Sequence, residues 1–238
     1  MSNTVGDLPP LAPGLYLVAT PIGNLGDLSQ RALDILKSCD LIACEDTRTS
    51  GKLLKHFGIT NNLVSYHEHN EISQAQVLAD KIEADQAIAL ISDAGTPTLS
   101  DPGFRVVREC HRRHLNVSPI PGPSAALAAL SASGLPSDRF SYRGFLPAKS
   151  AARKRFFESI LSADQTQILF ESNHRILKFL NDFLEVLGPE RVICVARELT
   201  KLHETIVTGP AGEVSEKIKS RSQKGEFVVV IAPADFSL

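Results

Sequence analysis

The sequence predicts an α/β protein made of two consecutive α/β domains, and three observations carry that prediction. Short apolar runs alternate with stretches of helical periodicity along most of the chain, the rhythm of strands joined by crossover helices. A cluster of Gly, Pro and Ser in "SGLPSDRFSYRGFLPAKS", residues 133–150, breaks that rhythm once, as a domain boundary does. The 238 residues are enough for two units that each bury a core of their own. The expected organisation is a loose leader over 1–13, a first domain over 14–134, a linker over 135–148 and a second domain over 149–238.

The elements follow in order. "LYLVAT", "LIAC", "LVSY", "AIALIS" and "VSPI" read as five strands, each leading into a helical pattern, so the first sheet should be largely parallel. Asp27 is expected to cap "LSQRALDILKSC", where Leu28, Ala32, Ile35 and Leu36 share one face. Gly58 should end the helix "SGKLLKHF". In "LISDAGTPTLSDPGF", residues 90–104, a strand empties into a turn with two Asp, two Gly and two Pro. There Asp101 is expected to cap the next helix, with Pro102 in its first turn. Beyond the linker, "TQILF", "RVICVAR", "ETIVT" and "EFVVVIA" alternate with helices near 151–162, 174–187 and 211–221. The close spacing of the last strands predicts a mixed sheet.

Composition narrows the function. Apolar content of 43% and charged content of 22% are those of an ordinary soluble enzyme, and no apolar run approaches the roughly 20 residues of a membrane span. Cys39, Cys44, Cys110 and Cys194 form no C-x-x-C pair, which suits reduced, packed thiols in a cytoplasmic protein. The net charge of −2 gives no global pull on nucleic acid, so an RNA substrate requires a local basic surface. Neither G-x-G-x-x-G after the first strand nor a Walker loop is present. "YHEHN", Tyr66–Asn70, reads as a polar loop rather than a metal site.

Chemistry gathers at the carboxyl ends of the expected strands, where open α/β sheets bind ligands. These ends read "TPIGNLGD", "EDTR", "SDAGTPTLSDPG" and "PGPSAA" in the first half, and "FESNHR" and "ARELTKLHE" in the second. Gly23, Gly95 and Gly122 allow a ligand to approach the backbone closely. Asp93 offers an acceptor, and Ser124 and Ala125 open a helix whose first N–H groups lack partners.

Taken together, "LYLVATPIGNLGDLSQRALDILKSCDLIACEDTRTSGKLLKHFGI", "LISDAGTPTLSDPG", "IPGPSAALAALSASGLPSDRFSYRGFLP", "FESNHR" and "RELTKLHET" resemble the ribosomal RNA small subunit methyltransferase I family, over about residues 14–232. The resemblance implies a tetrapyrrole-methylase-type pair of α/β domains with S-adenosylmethionine (SAM) in the cleft between them. It further implies methyl transfer to the ribose 2′-oxygen of a cytidine in 16S rRNA of the small ribosomal subunit. By position, Pro21, Asp93, Thr96, Ser124, Ala125, Phe170 and Leu199 match cofactor-facing residues. Asn173 stands where the family commonly has Pro, and the sequence ends at Leu238, short of a C-terminal segment that many members carry. Where that segment grips the ribosome, the expectation is weaker RNA binding. The class also implies a cytoplasmic homodimer.

A ribose hydroxyl needs a proton acceptor, and the sequence leaves Glu171, His174 and Glu45 open for that role, with Arg48 or Arg175 steadying charge. No metal is needed. For RNA, Lys149, Arg153, Lys154 and Arg155 form the favoured basic set, and Arg105, Arg108, Arg112 and Arg113 a second. The competing readings are a methyltransferase of the same class on a tetrapyrrole or other small substrate, and a non-catalytic ribosome-binding module. The branch-specific "CEDTR" and "DAGTPTLSDPG", and a chain with no Trp and three Tyr, weigh against a macrocycle pocket.

Overall fold

The computed structural model describes residues 10–238, so residues 1–9 of the expected leader lie outside it. The chain divides into two units, one running to Ser124 and the other covering Ala125–Leu238.

The first unit contains β1 (Gly14–Val18), α1 (Gln30–Ser38), β2 (Leu41–Cys44), α2 (Thr47–His56), β3 (Leu63–Ser65), α3 (Glu71–Glu83), β4 (Ala87–Ile91), α4 (Phe104–Arg112) and β5 (Val117–Ile120). Its sheet runs β3-β2-β4-β1-β5 with every pair parallel. All five residues of β4 are buried because both faces of this central strand are covered. Ala89 and Ile91 join Val18, Ile42 and the α1 residues Ala32, Ile35 and Leu36 in one cluster. Ile88 and Leu90 join Leu15, Ala43, the α3 residue Leu78 and the α4 residue Val106 in another. From β1 the chain moves toward β2, and from β4 it crosses back over β1 to β5. The reversal lies between β1 and β4, which makes their carboxyl ends the expected ligand crevice.

Two expected caps are corrected. Asp27 closes a 3-10 turn, Leu25–Asp27, and Ser29 caps α1 by accepting the Ala32 N–H at 3.1 Å. Asp101 caps nothing: α4 begins after Gly103, whose φ of 145° turns the chain into the helix. At the end of α2 the expectation matches the structure. Gly58 (φ 65°) donates to Lys55 O and Ile59 to Leu54 O, and Leu54 and Ile59 pack together in the core.

The second unit contains α5 (Ala125–Ser133), β6 (Phe140–Phe145), α6 (Ser150–Ser159), β7 (Thr166–Ser172), α7 (Ile176–Leu187), β8 (Val192–Arg197), β9 (Thr205–Pro210), α8 (Ala211–Lys219) and β10 (Glu226–Ile231). The sheet order is β6-β7-β10-β8-β9, with β6–β7 parallel and the rest antiparallel, the mixed sheet expected. One face buries Leu169, Val195, Phe227 and Val229 against Phe157, Phe179 and Phe183 of α6 and α7. Helix α5 packs on β10 and β9 of this sheet, and Thr208 donates its hydroxyl to Ser133 O at 2.9 Å, so the unit starts earlier than residue 149. The segment 135–148, expected as a linker, carries the edge strand β6.

Candidate active site

In the first unit the loops after β1, β2, β4 and β5 meet at one sheet edge. Thr20 and Gly95 form an isolated antiparallel bridge, with N–H···O distances of 2.9 and 3.0 Å, that ties the loops after β1 and β4 together at the switch point. The buried Thr20 donates its hydroxyl to Ser92 O at 3.0 Å. Gly95 has φ 86°, and a Cβ there would meet Ile22 Cγ2 at 3.3 Å, so the bridge requires glycine. Thr96 donates its hydroxyl to Pro123 O at 3.0 Å, which joins the loop after β4 to the one after β5 next to Ser124 and Ala125. Pro21, Thr96 and Ser124 are each half-buried along this edge, and Ala125, which opens the second unit, is half-buried too.

The acids of this edge crowd one another. Asp93 is exposed and accepts the Asp46 N–H at 3.3 Å. Its carboxyl is pushed up by partial burial and by the Asp46 charge. Glu45, half-buried at the end of β2, is pushed up by burial and then by Asp93 and Glu68. Asp101 is pushed up to about 6 by burial, with Glu45 and Asp93 adding repulsion and the Ser92 hydroxyl opposing them. Sequence reasoning missed Asp101 as a member of this group because Asp-Pro-Gly before a helix reads as a cap. The backbone between holds it there: Thr98 and Ser100 have φ of 77° and 65°, conformations that cost energy outside glycine. Asp46 differs from its neighbours, since the Arg48 guanidinium holds its carboxyl down at about 2. It caps α2 through the Arg48 N–H and forms an ion pair with Arg48 at 2.9 Å, which leaves that side chain 87% exposed.

The second unit places its expected site residues at the ends of β7 and β8. Glu171 is buried, accepts the Ser172 N–H at 2.7 Å and faces Arg175, whose Nε lies 3.1 Å away. Arg175 also donates to Leu146 O at 2.7 Å. That pair latches β7 to the segment after β6, so Glu171 is a structural anchor with no exposed lone pair for a substrate proton. His174 is exposed. Phe170 is half-buried beneath Tyr142 and Phe145, with ring centroids at 5.3 and 5.7 Å. Leu199 is buried between two residues of positive φ, Glu198 (53°) and Thr200 (66°). Glu198 pairs with Lys201 at 2.9 Å, whereas Arg197 donates to the carbonyls of Lys224 and His203.

The two basic sets fare differently from their sequence reading. Arg153 is buried and committed to Asp182, and Lys154 pairs with Glu185 at 2.5 Å. Only Lys149 and Arg155 of that set are exposed without an acidic partner among the described residues. In the second set Arg105 pairs with Glu71, Arg112 with Glu109, and Arg113 with Asp80, Glu83 and Glu109. All four thiols are buried and free, and burial pushes each of them up, Cys110 to about 11, so none is poised as a nucleophile.

The fold is shared with proteins of known structure. Diphthine synthase superimposes with a TM-score of 0.71 at 16% identity, covering 92% of this chain and 89% of that one. Uroporphyrin-III-C-methyltransferase from Thermus thermophilus gives 0.61 at 18% identity, covering 92% and 94%. Residues 14–215 match the family model described as Tetrapyrrole (Corrin/Porphyrin) Methylases, which defines the class as that of these methylases. Among relatives, the ribosomal RNA small subunit methyltransferase I of Vibrio cholerae is 54% identical over 222 residues, 92% of this chain and 77% of the relative. Those of Escherichia coli and Synechocystis are 51% and 50% identical, covering 91% and 92% of this chain and 77% and 79% of the relatives. The chain belongs to the ribosomal RNA small subunit methyltransferase I family, and it is a methyltransferase.

Proposed function

We propose that this chain transfers a methyl group from SAM to the ribose 2′-oxygen of a cytidine in 16S rRNA, acting on the small ribosomal subunit in the cytoplasm as a homodimer. The observation that carries the cofactor reading is the crowding of Glu45, Asp93 and Asp101 at the β1/β4 switch point, all three with carboxyls pushed up. A cationic ligand relieves that repulsion, and SAM carries both a sulfonium and an ammonium. Gly95 and Gly122 let the loops of this edge pack closely on one another: a Cβ on Gly122 would come within 2.9 Å of the Ala19 Cβ. Asp93, Thr96, Pro21 and Ser124 of the first unit, with Ala125 that follows Ser124 in the chain, would hold the cofactor, and the family pattern assigns Phe170 and Leu199 to its adenosine end. When bound, SAM supplies an electrophilic methyl group with a good thioether leaving group.

The chain's own work is to hold the ribose hydroxyl in line and to take its proton. Of the three acceptors read from the sequence, Glu171 is already engaged by Arg175 and Ser172, and His174 lies exposed after β7. Glu45 is half-buried at the end of β2 with no cation paired to it among the described residues, and burial and Asp93 push its carboxyl up, so we assign it the proton. Arg48, exposed beside it, would steady a phosphate. Single-turnover methylation tests the assignment. Glu45→Gln should slow the chemical step by about 10²- to 10⁴-fold, the range of general base catalysis, while His174→Ala stays near wild type. A Glu45→Gln rate within twofold of wild type would remove side-chain base catalysis. Alkaline digestion of the methylated RNA tests the atom: label on a 2′-oxygen survives in a dinucleotide, whereas label on a base is released in a mononucleotide.

A further inference from the structure

We propose that the exposed ring of Phe145, seated on Phe170 and Tyr142 at the carboxyl end of β6, is a stacking platform for an unpaired base of the RNA substrate. The inference rests on the rRNA reading above and names a surface through which the RNA is held. Tyr142 and Phe145 are three residues apart, a spacing that puts side chains on opposite faces of a regular strand. A bulge between Tyr142 and Gly144 inserts Arg143 and resets the alternation, so Tyr142 pairs with Ile168 and Phe145 with Phe170 on one face. Both rings then meet Phe170 edge-on, with interplanar angles of 73° and 67°. Phe145 is left 56% exposed on a strand end held in place from below.

An aromatic ring on an edge strand invites either a base or a second protein surface. Charge favours the base. Lys149 follows four residues later and is exposed, and His174, exposed just past the neighbouring β7, offers a polar ring edge. The acid of this strand end, Glu171, is buried and neutralised by Arg175, so the exposed positive charge here is that of Lys149. Size points the same way, because one ring and its rim fall far short of the roughly 800 Å² per partner of a stable protein interface. Aromatic side chains on a sheet, bordered by cations, hold single-stranded bases with little dependence on sequence.

The test uses the full chain, unmethylated small subunits and methyl-labelled SAM. Phe145→Ala should raise the KM for the subunit about tenfold, the loss expected for one stacked base. It should leave kcat within about twofold, and SAM affinity by calorimetry unchanged. Phe145→Trp should restore the KM, while Phe145→Leu, apolar but without a ring face, should stay impaired. An unchanged KM for Phe145→Ala, or a Phe145→Leu variant as good as wild type, overturns the platform. So does a SAM affinity that falls in step with the KM, which would place the ring in the cofactor pocket. A dimer that dissociates on Phe145→Ala in sedimentation overturns it in favour of a second copy of the chain. Wild-type protein that binds SAM but puts no label into RNA overturns the reaction reading as well, whereas wild-type transfer with an unimpaired Phe145→Ala overturns this inference alone.

Discussion

Asp101→Asn should stabilise the protein above neutral pH and leave its stability unchanged near pH 4. In the folded chain the Asp101 carboxyl is raised from its ordinary 3.8 to about 6, by burial first and then by Glu45 and Asp93. Between those values the native state keeps a proton that the unfolded chain has lost. Stability therefore falls as pH rises from about 4 through about 6 and stays reduced above. A rise of this size is worth at most about 3 kcal/mol, and solvent reaching the half-buried carboxyl brings the effect to about 1–2 kcal/mol. Asn has no charge to repel and still accepts a hydrogen bond from Ser92. At roughly 2–4 °C per kcal/mol for a chain of this size, the melting temperature should rise by about 2–8 °C at pH 8 and by less than about 1 °C at pH 4. Thermal unfolding followed by circular dichroism at the two pH values reads the difference directly. An equal shift at both pH values, or a loss at pH 8, would show that the carboxylate is a structural anchor and that the acids do not crowd. The same variant should bind SAM more weakly, since the strained acid group is kept for its cation.

Further predictions concern a buried ion pair, the loops and the basic surface. Asp182→Ala strands the buried Arg153 and should cost about 3–5 kcal/mol in denaturant unfolding, without altering the salt dependence of RNA binding. Gly122→Ala forces a Cβ against Ala19 and should weaken SAM binding by about tenfold in calorimetry, an overpacking cost of 1–3 kcal/mol falling on the loop that carries Ser124. Reversing Lys149 and Arg155 together to Glu should weaken RNA binding and lower its salt slope by about one to two. Arg112→Gln should leave that slope unchanged, because Glu109 already neutralises Arg112.

Most of the architecture was legible because the strands of both units are apolar runs too short for helices. "AIALI" reads as a strand buried on both faces, and it is the central strand of the first sheet. What escaped depends on partners distant in sequence. Strand β6 was hidden because its bulge at Arg143 breaks the alternation, and Gly144 and Pro147 imitate a linker. Arg153 looked like a surface cation until Asp182, 29 residues on, proved to face it in the core. Asp101 carried a local signal, Asp-Pro-Gly, strong enough to mask a tertiary role. The loops holding the candidate site were visible as clusters of Gly, Pro and small polar residues. Which of their acids crowd together was not, because that follows from strand order.

The central claim is that this chain methylates small-subunit rRNA from SAM. The most direct measurement is to incubate the purified protein with methyl-labelled SAM and unmethylated small subunits, with naked 16S rRNA alongside, and to follow label into RNA. The account predicts label in one alkali-resistant dinucleotide beginning with cytidine. Protein that binds SAM yet leaves both substrates unlabelled would contradict it.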